Sequence, residues 1–415
     1  MTVEAVAEDR VFVPALEAVD RARLRGEPEW LAARRREARD RFAKLGFPTA
    51  RLEEWRTTNV APILSTPWLP ETGAMHGVRA AAGGPGVRVL SLAQALRQEP
   101  EILEKTLGRI ANDENAAFAA LNLALAEDVV CVLVAPDAAV EAPIEVVFDG
   151  PAADEPAVLS PHCLIVAGDR SEASVVERHT GTGAYFRNVV TEIALGEGAV
   201  LRHYKLQRES LEAFHLQSIA VRQARASHFR SVLAAFGGAL ARTDIRVDLE
   251  GEGSECILDG LFVGAGSQHL DTHTTIAHVA PHTTSREVYK GVLDGRARGV
   301  FHGRIVVRPG AQKTDAMQTN KNLLLSRDAL VDSTPALEIF ADDVKCKHGS
   351  TIGQLDAAAL FYLRSRGIGE REARALLTRA FAAEVAGRIA LPALRAEIEE
   401  TLDRSLSDAA REETS

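Results

Sequence analysis

The sequence predicts a mainly β chain whose strand-rich centre is flanked by helical N- and C-terminal regions, and three observations carry that expectation. From Val129 onward, short β-branched runs alternate with Gly, Pro, Asp and Asn for about 220 residues without one convincing long helix, the pattern of successive strands and tight turns. Before and after that stretch, segments rich in Ala, Arg, Glu and Leu place apolar residues at helical spacing. The texture changes at Val129 and again after Gly353, which divides the chain into a helical region over 1–127, a β core over 128–353 and a helical region over 354–415. So many strands exceed one open sheet, and a sandwich, a barrel or a solenoid must close them.

Taken in order, Pro14 to about Leu45 reads as helix, with Arg34, Arg35, Arg36, Arg39 and Arg41 as a basic run that Glu37 and Asp40 interrupt. Interrupted charge of this kind is expected on a solvated helix face. Pro48, Pro62, Pro67 and Pro70, with Trp55 and Trp68, mark an extended, turn-rich segment. Helices are expected from Leu92 to Ile110 and from Glu114 to Glu127. Strands follow at Ile144–Phe148, Ser174–Glu177 and Val189–Ile193. Three similar turns, at Leu195–Ala199, Leu249–Ser254 and Val307–Gln312, are a repeat signal favouring stacked coils, but their spacing of about 55 residues requires more than one coil per unit. Near the C-terminus, Asp356 can cap a helix that Gly367 ends, and helices over Glu370–Ile389 and Ala393–Leu406 are separated by Pro392.

Composition excludes several functions. With 415 residues, 46% of them hydrophobic, the chain can bury a sizeable core, while aromatic residues at 5% argue against a bulky aromatic cleft. The 58 acidic residues outnumber the 48 basic ones, which disfavours a nucleic-acid partner. No apolar stretch approaches the roughly 20 residues that span a bilayer, and the N-terminus lacks the features of a secretory signal, so the cytoplasm is the expected compartment. P-loop, nucleophile-elbow and zinc-protease motifs are absent. Cys131, Cys163, Cys256 and Cys346 are too dispersed for a zinc ribbon or an autonomous iron–sulfur site and read as small buried hydrophobes.

Two clusters remain as candidate chemistry. His269, Asp271 and His273 share a strand face and lie near His278 and His282. The end histidines of the strand are about 13 Å apart and cannot bind one ion together, so structural or interface roles are favoured unless a neighbouring coil, about 4.8 Å away, supplies a ligand. The second cluster is Asp342–Ser350. If this segment is a strand, Cys346 and His348 point the same way about 7 Å apart, and both are ligand types for iron or zinc. Lys345 and Lys347 flank the thiol in sequence and could lower its pKa, although on a flat strand they face away. A Cys and a His at a turn edge with no ligand role is the alternative.

Several motifs, in order, resemble the SufB/SufD family of iron–sulfur cluster assembly proteins. They are Ser285–Gly291, Val300–Gly303, Ala311–Ala316, Asn322–Ser326, Leu337–Gly349 and Leu360–Ile368, with Pro48–Arg51 and Glu54-Trp55 similar to the family's N-terminal signature. The match is densest from about residue 250 to 370, and the phrase from Cys346 to Asp356 resembles the D subunit. Ser350, where Ala is common, is the one mild departure. The resemblance implies a right-handed parallel β-helix between helical regions and a non-catalytic subunit of the SUF system. It also implies a complex with the SufB paralogue and two copies of the SufC ABC-type ATPase, which supplies ATP hydrolysis. His348 would then be the metal-binding residue for a transient iron–sulfur cluster shared with SufB, Cys346 the thiol near it, and the C-terminal helices the ATPase dock; no stable cluster is expected on the chain alone. A homodimer is left open, as are a purely structural adaptor and a β-helix carbohydrate-active enzyme or acyltransferase.

Overall fold

From His162 onward, each strand of the central region ends in a turn that carries the chain across to the other of two sheets, so consecutive strands do not pair with each other. The computed structural model describes residues 27–70, 78–81, 84–113, 116–126, 129–151 and 156–412. One sheet holds β1 (Leu69–Pro70), β3 (Val87–Ser91), β4 (Val129–Val134), β6 (Ala157–Leu159), β7 (His162–Ala167), β9 (Tyr185–Leu195), β11 (Phe214–Gln223), β13 (Leu240–Leu249), β15 (His269–His278), β17 (Arg298–Val307) and β19 (Leu330–Ile339). The other holds β2 (Val78–Ala81), β5 (Ile144–Phe148), β8 (Glu172–Gly181), β10 (Val200–Glu209), β12 (His228–Ala235), β14 (Glu255–Gly264), β16 (Thr284–Leu293), β18 (Asp315–Leu324) and β20 (Lys345–Gly353). The named strands pair in parallel except β2 with β5 and β3 with β4. This is a β-solenoid of about eight turns, and it selects the third of the closures open to the sequence. The repeated turns follow β9, β13 and β17, every second strand of one sheet, which accounts for their long spacing. Gly198 and Gly253 hold φ of 66° and 72° in the first two, a conformation glycine adopts without a Cβ penalty.

Alternation within each strand decides what lies inside. Val130, Val146, Ile165, Val175, Ile193, Leu201, Ile219, Ile245, Leu258 and Ile276 belong to one buried apolar cluster running through the coils. Outward-facing apolar residues are covered by helices on both sheets. Over the first sheet lie α1 (Glu29–Leu45), the short α2 (Ala61–Leu64), α3 (Leu92–Gln98), α4 (Pro100–Thr106) and α5 (Ala117–Leu125), with Phe42, Phe47, Trp68 and Phe118 packed on Phe186 and Leu216. Against the second sheet pack α7 (Glu370–Ala386) and α8 (Pro392–Glu412), whose Ala382, Val385, Leu394, Ile398 and Leu402 cover Tyr204, Leu206, Val232 and Leu261; α6 (Ala357–Ser365) precedes them and buries no residue.

Several helical expectations need correction. Leu92 to Ile110 is two helices, because Pro100 cannot donate within a continuous helix and instead starts the second. Pro392 likewise begins α8 rather than separating two helices, and α7 stops at Gly387. Asp356 accepts from the Ala358 amide as a cap, and Gly367 follows the helix at φ 87°. Residues 14–26 and the predicted helix ends Glu114 and Glu127 lie outside the described residues. The basic run of α1 is not a fully solvated face. Arg35 is buried and donates to the carbonyls of Leu123 and Ala126, Arg34 donates to that of Leu107, and only part of the run, such as Arg36, is exposed.

One buried carboxylate ties the N-terminal unit to the solenoid. Glu192, on the outward face of β9, accepts from the backbone amides of Gly108, Ile110 and Ala111 at 2.6–2.8 Å and lies 3.1 Å from His162 Nε2. Burial pushes its pKa up, but the hydrogen bonds and the His162 interaction outweigh that and hold it below the usual range. A carboxylate whose folded pKa is depressed contributes stability above its unfolded value near ~4.3 and loses it as pH falls through the folded value. Glu192→Gln should therefore lower the unfolding free energy at pH 7 by about 3 kcal/mol or more, with the difference from wild type shrinking below about pH 4, as measured by denaturant titration at several pH values.

Candidate functional site

The last coil has no successor. β19 and β20 end their sheets, so their outer edges carry unpaired backbone groups and their inward-facing side chains are not covered by another coil. Cys346 and His348 stand on β20 at alternate positions, hence on the same, inward face, with Lys345 and Lys347 on the other. Cys346 is half-buried and packs with the cluster of Ala316, Ile305 and Ala341, whereas His348 is exposed. The two sheets touch at this end, where Ser333 and Ser350 hydroxyls are 2.7 Å apart. Around them Leu330, Ile339, Phe340 and Ile352 are between 41% and 59% exposed, an apolar rim on the open coil. The flanking lysines do not make the thiol acidic. Burial pushes the Cys346 pKa up, Asp315 adds to this, and a backbone hydrogen bond at Ala316 offsets it only in part.

Register places His348 at the head of an interior column. It sits over Gln318, which sits over Glu287, with Leu258, Ser231 and His203 in the coils behind. Gln318 Nε2 donates to Glu287 Oε2 at 2.6 Å, and burial raises the Glu287 pKa to about 7 against the opposing hydrogen bonds of Thr274 and Gln318. Deeper in, a second interior polar group joins Glu177, His179, His203, Lys205, Glu209, His215 and Arg187. Lys205 Nζ lies 2.9 Å from His215 and donates to Thr243 at 2.7 Å, His215 Nδ1 is 2.7 Å from Glu209, and Arg187 pairs with Glu209 at 2.6 Å. Burial brings the Lys205 pKa down to about 7 despite Glu177 and Glu209. Sequence reasoning passed over these residues. Their signal was available in the alternation His203, Lys205, Gln207, Glu209 within one strand, where polar residues occupy the phase that Leu201 assigns to the interior.

The histidine cluster separates. His269, Asp271 and His273 face outward on β15, where His269 and Asp271 meet the Thr58 hydroxyl and Asp271 accepts from Arg242 at 3.0 Å. His278 points inward between Thr283 and Ser285, and His282 is exposed in the following turn. Among the described residues no group of three or more His, Cys, Asp or Glu is placed to hold a metal ion. Cys131, Cys163 and Cys256 are buried and all four thiols are free, as their dispersal predicts; burial pushes Cys131 up to about 12. No described helix is long and apolar enough to cross a membrane.

The fold is a β-solenoid clad by terminal helices and left open at one coil, with a thiol and an imidazole on the open face. Residues 150–381 match the sequence model described as SUF system FeS cluster assembly, SufBD core domain, and residues 78–146 match the SufBD protein N-terminal region. The chain belongs to the SufB/SufD family of the SUF iron–sulfur cluster assembly system and is SufD-like. It is 35% identical over 293 residues to an iron–sulfur cluster assembly SufBD family protein of Synechocystis sp., covering 68% of this chain and 65% of that one. A SufBD family protein of Mycobacterium leprae is 31% identical over 87% of this chain and 91% of its own length. Escherichia coli SufD is 34% identical over 58% of this chain and 57% of its own, so the matched segments span less than two thirds of the Synechocystis and Escherichia coli proteins.

Glu287 gives the interior column a measurable signature. An acid whose folded pKa is raised contributes stability that is fully present below its unfolded value near ~4.3 and is lost as pH rises through the folded value, here about 7. Glu287→Gln, which keeps an amide beside Gln318, should gain on wild type by on the order of 3 kcal/mol between pH 4 and 8 and by nothing further above that. Equal pH profiles for the two proteins in denaturant titrations would show that the carboxyl is not held protonated.

Proposed function

We propose that this chain is a SufD-type, non-catalytic scaffold subunit. Its open terminal coil pairs with a SufB paralogue, and a nascent iron–sulfur cluster is built at the junction as transient cargo. One observation carries the reading: the coil that exposes unpaired strand edges and an apolar rim also presents Cys346 and His348. Edges and apolar rims of this kind invite a partner strand and a partner surface. Two ligand-type side chains are too few for a cluster, which takes four, so the partner supplies the rest. His348 can offer an imidazole nitrogen to iron. Cys346, whose thiol is held protonated by burial, must first lose its proton and is the weaker contributor. Glu287, two coils beneath His348, holds the Gln318 amide that lies under that histidine in register.

ATP hydrolysis falls to a SufC-type ATPase, because this chain carries no phosphate-binding loop. The expected dock on the C-terminal region narrows to α6. α7 and α8 spend their apolar faces on the second sheet, while Phe361 and Tyr362 of α6 are 74% and 56% exposed. The three-part organisation over 1–127, 128–353 and 354–415, and a cytoplasmic setting, belong to the same reading.

Co-expression with SufB and SufC paralogues tests it. His348→Ala should leave the complex intact by mass measurement yet abolish most iron and sulfide in the anaerobically purified assembly, and Cys346→Ala should lose less. Normal cluster content in the His348→Ala complex would favour a purely structural adaptor. Separately, Phe361→Ala with Tyr362→Ala should weaken ATPase co-purification by tenfold or more, on the order of 1.4 kcal/mol, while the thermal midpoint of the isolated chain is unchanged. Full retention of the ATPase would place its dock elsewhere.

A further inference from the structure

The outward face of the first sheet carries an imidazole pair away from the open coil. His273 on β15 and His302 on β17 are register partners in adjacent coils, and their ring centroids are 4.9 Å apart at an interplanar angle of 70°. Two imidazoles bound to one tetrahedral ion at about 2.0–2.1 Å per nitrogen have centroids roughly 5 Å apart, so the rings already stand at the spacing that shared coordination requires. A metal-binding histidine is ordinarily oriented by a carboxylate on its other nitrogen. Asp271 stands at that nitrogen: its Oδ1 is 3.1 Å from His273 Nε2, within ion-pair distance though not aligned as a hydrogen bond, and its Oδ2 is fixed by the Thr58 hydroxyl at 2.6 Å and by Arg242 at 3.0 Å. Arg242 is itself held, stacking 3.8 Å over the Trp55 ring and pairing with Asp244. His273 Nδ1 is thereby left for an ion.

Both imidazoles line a cavity of about 470 Å³ between the N-terminal helical unit and the sheet, which has room for water to complete a coordination shell. Opposing charge does not forbid a cation there. Of the arginines on its wall, Arg242 is paired with Asp244 and Asp271, Arg246 with Asp113 and Asp248, and Arg304 with Glu338, while Glu54 also lines the space. Leu52, Trp55 and Phe118 form the apolar side of the cavity.

We infer that His273 and His302 form a two-histidine site for a borderline divalent transition-metal ion, completed by water and oriented by Asp271. Imidazole suits zinc, copper, nickel and ferrous iron, and a site with no carboxylate in direct contact discriminates against magnesium and calcium. Asp271 is a positioning residue here, acting through His273.

Cobalt(II) is a suitable probe because its visible absorption reports nitrogen ligation, and the full chain can be titrated without any partner. One equivalent should bind in the micromolar range at pH 7.5, magnesium should not compete, and His302→Gln should weaken binding by tenfold or more while His348→Ala leaves it unchanged. As a check that needs no variant, saturating cobalt should slow diethyl pyrocarbonate modification of His302 in the wild-type chain, read by peptide mass. Undiminished binding in His302→Gln, loss of binding in His348→Ala, or unprotected His302 would each overturn the assignment and leave the pair as a packing contact.

Discussion

A parallel solenoid satisfies the backbone of each coil only through the next one. That constraint organises the molecule, because it forces the chain to treat its two ends differently. At the N-terminal end, β2 and β3 add antiparallel strands, while five helices cover the adjoining face. At the other end β19 and β20 stop with no cover, and the residues that any interior column would bury are presented outward. The candidate site is therefore a direct consequence of where the stacking ends. Cys346 and His348 would be unremarked core residues one coil earlier.

The same geometry makes the interior unusual. Narrow coils bring side chains from both sheets to one axis, and polar groups placed there must satisfy one another because no water competes. Arg187 and Lys205 oppose Glu177 and Glu209 within a web of histidines, hydroxyls and amides. Removing one partner would strand the others, which is the costly case for buried ion pairs. Helices on the outside use different means. Glu192 gathers three amides and a histidine to hold the N-terminal unit, and Lys290 with Glu384 and Arg388 with Asp259 pin the C-terminal helices.

Particular residues show how far the sequence carried. Ile144–Phe148, Ser174–Glu177 and Val189–Ile193 announced strands because β-branched runs between turn residues have few other uses. Cys346 and His348 were legible because alternate positions on a strand share a face whatever the strand pairs with. Arg35 misled, since a guanidinium that caps carbonyls of a neighbouring helix looks in sequence like any solvated basic residue. Leu92 to Ile110 misled for the opposite reason: periodicity persisted across Pro100, and the break came from a missing amide rather than from a change of pattern.

Composition, turn chemistry and strand periodicity fixed by themselves that this is a β-rich chain with helical ends, without a phosphate-binding loop and with its four cysteines dispersed. These are local properties, readable wherever the chain goes. Which coil is last, which polar residues share the axis, and that His273 meets His302 rather than His269 were decided only by tertiary structure. Those relations join residues about 30 positions apart through the register of stacked coils, and register is set by how all the coils pack together, not by any one segment.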